Sequence, residues 1–179
     1  MSIQTEYLMN PELCSLLNND NIINNDNVLE SLCSERQYQE NIWNKDTTES
    51  GGLHPTSDFL VFMQEYLSTA IKTVSRNGEP EASMLAAHDL RKITAMALAS
   101  SEKNGWSDFL IKYNYSVSCD FDRSLVTVLG HIQYLLNSSF EASYRNQQDV
   151  IKFNVSQIFW EGVYAMSLKP EYSPLRDIK

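Results

Sequence analysis

Asp58–Lys103, DFLVFMQEYLSTAIKTVSRNGEPEASMLAAHDLRKITAMALASSEK, is the stretch whose reading decides the fold. Phe59, Phe62, Met63, Tyr66, Leu67, Ala70, Ile71 and Val74 recur at three- and four-residue steps, which places them on one face of an α-helix. Arg76-Asn77-Gly78-Glu79-Pro80 breaks that rhythm with a glycine and a proline. Periodicity then resumes, with Leu85, Leu90, Ile93, Ala97 and Leu98 as the expected inward positions. Two helices joined by so short a break pack antiparallel, so residues 58–76 and 81–103 are expected to form a helix hairpin at the centre of the fold.

Outward from the hairpin, the chain continues in the helical period. Asn27 is placed to cap a helix running through Val28, Leu29, Leu32 and Cys33 towards Trp43, with Glu30 three residues on to complete a capping box. Asn44 to Ser57 turns to Asp, Thr, Ser, Gly and Pro, a loop long enough to carry a role beyond connection. Asn104-Gly105 stops the second hairpin helix. Leu125, Val128, Leu129, Ile132, Leu135, Leu136 and Phe140 make another apolar stripe, and Val150, Ile151, Val155, Ile158, Phe159 and Val163 a last one. No alternating strand pattern and no internal repeat is found. The expectation is an all-α bundle of five to six helices: an Asn-rich, weakly ordered lead-in over residues 1–27, one helical domain over 28–169, and a C-terminal tail over 170–179.

Composition narrows the function classes. The 179 residues carry a formal charge of −9. That balance disfavours direct nucleic-acid binding, because phosphates are repelled, and it suits either solubility or a partner with a basic surface. No run approaches a transmembrane helix, so no membrane role is expected. Cys14, Cys33 and Cys119 are odd in number and far apart, which reads as free thiols. With no secretory pattern at the N-terminus, a cytoplasmic protein is expected. Only 6 glycines are present and none forms a phosphate-cradling loop, which sets aside dinucleotide and P-loop folds.

Several residues are candidates for binding. Asp120 and Asp122 lie close together as in metal loops, but such a pair ahead of a helix is far more often a cap. His54, His88 and His131 are too scattered for a local zinc site. Trp43, His54 and Trp106 lie at or beside expected loops, where a ligand or partner side chain can stack, although bundle packing accounts for such aromatics equally well. The segment Phe159-Trp160-Glu161-Gly162-Val163-Tyr164 is apolar on more than one side. That fits deep burial or a subunit contact, and a homodimer follows from the second alternative.

Glu35-Arg36-Gln39-Trp43, followed by His54-Pro55, Glu65, Ala70 and then Asp89-Leu90, Lys92, Ala95, Ala99 and Glu102, resembles a family of small phage and prophage proteins. Some of these look like relatives of the MazG-type nucleotide pyrophosphohydrolases. The resemblance covers roughly residues 28–103. It implies an all-α oligomer that binds nucleotide through Mg²⁺, held by carboxylates on two antiparallel helices. The family pattern asks for Glu-Glu-x-x-Glu on the first helix and Glu-x-x-Asp on the second. This chain offers Gln64, Glu65 and Ser68, then Asp89 and Lys92.

With so few acids left, no cofactor is assigned, and Mg²⁺ is the one the resemblance implies, through Glu65 and Asp89 with help from Glu35, Glu40 or Asp58. The ammonium of Lys92 can take the place of the metal, so Glu65, Asp89, Lys92 and His88 are expected as a polar cluster or, alternatively, as solvated surface charges. Two functions stay open: a non-catalytic phage-type interaction protein that meets a basic protein surface, and a divergent Mg²⁺-dependent nucleoside triphosphate pyrophosphohydrolase.

Overall fold

The computed structural model describes residues 9–19, 22–23, 25–50, 56–76, 81–113 and 124–174, with the backbone alone at 43–50, 56–57, 76 and 81–82. His54, Asp120, Asp122 and Cys119 and the Trp43 side chain lie outside what it describes. The described residues are helical, with no strand among them: α1 (Pro11–Leu17), α2 (Asn27–Ser50), α3 (Thr56–Arg76), α4 (Glu81–Lys103), α5 (Ser107–Lys112), α6 (Leu125–Tyr144), α7 (Gln148–Leu168) and a closing 3₁₀ turn, Pro170–Tyr172. Five of these helices are 20 residues or longer, and the short α1 and α5 are additions to them.

The hairpin read from the sequence is present. α3 packs along α4, and its buried face is Phe59, Leu60, Met63, Leu67 and Ala70, with Phe62, Tyr66, Ile71 and Val74 half-buried at its edges. α6 and α7 form a second hairpin. Their link ends α6 with Asn146 in the left-handed region at φ 56°, where the N–H of Gln147 donates to Ala142 O and that of Asn146 to Ser143 O. Gly105, at φ 73°, closes α4 in the same way, with the N–H of Trp106 donating to Ser101 O. The hairpins complete a four-helix unit in which α3 touches α4 and α6, and α7 touches α4 and α6.

α4 is the axis of the molecule, because α2 and the 3₁₀ turn cover its outer side as well. A helix enclosed by neighbours needs small side chains, and from Ala86 onward α4 supplies Ala87, Thr94, Ala95, Ala97, Ala99 and Ser100, all buried. Leu85 departs from its expected inward position. It is 57 % exposed, because the first turn of α4 buries Ser83, Ala86 and Ala87 and turns Leu85 to solvent.

Residues on both ends join the core. Met9, Leu13, Leu17 and Ile23, from the Asn-rich lead-in, are buried in the main cluster. The Asn25 amide donates to Met166 O at 3.0 Å, Lys169 O at 3.1 Å and Ser173 Oγ at 3.1 Å, while its Oδ1 accepts from the N–H of Asn27 at the start of α2. One side chain thereby joins the entry of α2 to the exit of α7. The segment Phe159–Tyr164 is explained inside one chain, where Phe159, Trp160 and Val163 are fully buried and Trp160 Nε1 donates to Leu110 O at 2.9 Å.

Candidate functional site

α2 crosses α4 with polar rather than apolar residues in the seam. Glu35 and Gln39 lie one turn apart on α2, so they present to the same strip of α4, and Arg36 opens the neighbouring strip. The side chains of Glu35 and Arg91 are each 2 % exposed and stand 3.5 Å apart. Arg91 also donates to Pro174 O, and the Ser31 hydroxyl donates to the same carbonyl at 2.8 Å, which ties Pro174, the residue after the 3₁₀ turn and Ser173, to this pair. The Gln39 amide donates to Glu35 Oε1 at 3.3 Å and to the backbone carbonyl of Lys92 at 3.2 Å. In the adjoining strip, Arg36 reaches Glu102 at 2.7 Å and Glu40 at 3.0 Å, and Lys103 closes on Glu40 at 3.6 Å.

The charges in this seam cancel. Glu35, Glu40 and Glu102 face Arg36, Arg91 and Lys103, three against three. Burial first, and repulsion from Glu40 after it, push the Glu102 carboxyl above the usual carboxylate range, while the Arg36 guanidinium and Lys103 pull it part of the way back. A buried ion pair of this kind offsets its desolvation only when every partner stays in place.

Beside the seam lie the residues expected as a degraded metal site. Asp89 and Lys92, one turn apart on α4, pair at 3.7 Å, with the Lys92 ammonium 5.0 Å over the Tyr66 ring of α3. Asp89 is buried, and desolvation raises its carboxyl against the lowering pull of Lys92. Tyr66 is raised as well, first by burial and then by the carboxylates and phenol around it: Glu35, Tyr38, Asp89 and Glu65. Glu65 itself is exposed and makes no ion pair among the described residues. Gln64 turns the other way, forming a reciprocal amide pair with Gln133 of α6 at 2.8 Å. Asp58 and His88 are half-buried. The structure therefore joins Asp89 to Lys92 and leaves Glu65 outside that pair.

Among the described residues no group of three His, Cys, Asp or Glu side chains converges as a metal ion requires. A hard cation such as Mg²⁺ needs oxygen ligands whose charge is not already neutralised. Here Glu35, Glu40, Glu102 and Asp89 each have a cation within 4 Å. These four described carboxylates are therefore poorly suited to hold it.

The remaining candidates have structural positions. Trp106 is half-buried against the core at the junction of α4 and α5. His131 lies with Nδ1 3.0 Å from Oε1 of the buried Glu161. That pair and the Arg91–Glu35 pair escape a sequence reading because their members are 30 and 56 positions apart. The available signal for Arg91 was a cation between Leu90 and Ile93 on a helix otherwise rich in Ala. No helix of the described residues is long and apolar enough to cross a membrane. Comparison with protein-family models, with curated proteins and with solved structures gives no match to this chain.

Proposed function

We propose that this chain is a non-catalytic interaction protein of the phage type, whose acidic exterior meets a basic surface on a host or defence protein. The observation that carries this reading is the internal neutralisation of the acids in and beside the α2–α4 seam. Glu35, Glu102 and Asp89 are matched by Arg91, Arg36 and Lys92, and so are not available to hold a catalytic metal. The surplus negative charge lies outside. Among the described residues Glu12, Asp26, Glu30, Glu65, Asp108, Glu141, Asp149 and Glu171 are exposed, against Lys72, Lys103, Lys112, Arg145 and Lys169. Such an excess steers a basic partner and strengthens encounter at low salt.

Calorimetric titration of Mg²⁺, with and without a non-hydrolysable nucleoside triphosphate, separates this reading from the pyrophosphohydrolase that the sequence resemblance implies. No saturable heat is expected at millimolar metal. Saturable binding that disappears in Glu65→Gln or Asp89→Asn overturns the non-catalytic reading. A partner captured at low salt and released as salt rises is the positive outcome.

A further inference from the structure

In a chain with 21 % charged residues, α6 carries no Asp, Glu, Lys or Arg from Leu125 to Phe140. One side of it belongs to the core through Leu125, Val128, Leu129, Ile132, Leu135 and Leu136. The other side faces solvent, and there Val126 is 54 % exposed, Tyr134 is 68 % exposed, and Gly130 lies open between them. A solvent-facing helix side ordinarily carries the charges of an amphipathic pattern. This one is uncharged up to Phe140: it carries Val126, Gly130 and Tyr134 at four-residue steps, with the polar Thr127 and Asn137 beside them and the first carboxylate at Glu141.

Gly130 is helical, and a Cβ built on it meets no atom of the described residues within 4 Å, so alanine fits among them without a clash. Glycine in mid-helix is nevertheless about 1 kcal/mol less favourable than alanine. The missing side chain does, however, let another helix backbone approach closely at this point.

We propose that the outer face of α6 is the contact between two copies of this chain, the helices crossing antiparallel at Gly130. The charge argument selects the occupant. Two chains of −9 repel each other wherever carboxylates face one another, and this face spares them that repulsion. A basic partner finds no carboxylate here to pair with. The spacing is self-complementary too, since Val126 and Tyr134 lie four residues to either side of Gly130. A two-fold axis through Gly130 brings Val126 of each copy to Tyr134 of the other, as an isologous interface requires.

The test is sedimentation of the full chain with three variants, each checked for an unchanged helical spectrum. The native chain is expected to dimerise, and to do so more tightly as salt rises, because screening relieves the repulsion of like-charged copies. Tyr134→Glu is expected to weaken the dimer about tenfold or more, as removal of a central aromatic anchor does. Gly130→Ala separates the two roles of that position, raising the melting temperature of the fold while loosening the dimer. Tyr144→Glu, at a tyrosine 90 % exposed near the end of the same helix, is expected to leave association unchanged. A native chain that stays monomeric at about 100 µM overturns the proposal, since a dimer of micromolar Kd is populated at that concentration. So does a dimer indifferent to Tyr134→Glu and Gly130→Ala, or one that loosens as salt rises.

Discussion

Gly162 shows how much a single residue governs here. It sits on α7 where that helix meets α4, and a Cβ added to it would lie 2.0 Å from Thr94 Oγ1 and 3.0 Å from both carbons of that side chain. Thr94 cannot easily swing away, because it is fully buried and its hydroxyl donates to Leu90 O at 2.7 Å. Gly162→Ala is therefore expected to destabilise the protein by about 1–3 kcal/mol, the usual cost of forcing a methyl into a packed interior. Thr94→Ala in the same chain should return part of that loss, and denaturant midpoints of the four combinations measure the coupling. Equal midpoints for Gly162→Ala and the native chain would show that the helices are not held in contact there. Gly130 is the opposite case, because a Cβ there meets none of the described residues.

At the level of elements, α2 is attached by a seam whose polar pairs are buried with little margin. Arg91 serves Glu35 and the Pro174 carbonyl together, and the Arg36 guanidinium bridges Glu40 and Glu102. Removing one member leaves an opposite charge in a dry interior, which costs about 3–5 kcal/mol in comparable buried pairs. Arg91→Met is expected to lose that amount in urea unfolding. Pairing it with Glu35→Met should recover much of it, since two apolar residues leave no stranded charge. If the double replacement is as unstable as the single one, the carbonyl of Pro174, rather than Glu35, is the partner that matters. α2 buries Val28, Leu29, Leu32 and Cys33 in its first turns, and the seam explains why that stripe then gives way to Glu35, Arg36 and Gln39, which reach α4.

Across the whole molecule, the acids raised by burial set how stability responds to pH. Asp89 and Glu102 titrate above their ordinary values in the folded state, so between the two ranges the folded protein binds more protons than the unfolded chain. Their contribution is fully present below the unfolded carboxylate range and is lost as pH rises through the folded values. Mild acidification from neutrality should therefore raise the melting temperature slightly before general acid unfolding begins, and Asp89→Asn with Glu102→Gln should flatten that rise. A melting temperature that falls steadily from neutrality downward in the native chain would show that the cations dominate both sites.

What the sequence determined by itself is the helical content, the 58–76 and 81–103 hairpin and the stripes of α6 and α7, because local spacing of apolar residues dictates which face of a helix avoids water. It also exposed the thin set of acids at Gln64, Glu65, Ser68, Asp89 and Lys92. Tertiary structure alone decided that α4 is the central helix, packed by α2, α3, α7 and the 3₁₀ turn, that Asp89 takes Lys92 while Glu65 stays in solvent, and that Arg91 reaches Glu35. Local periodicity says which face is buried, whereas pairing depends on which helices become neighbours, and that is settled only when the whole core closes.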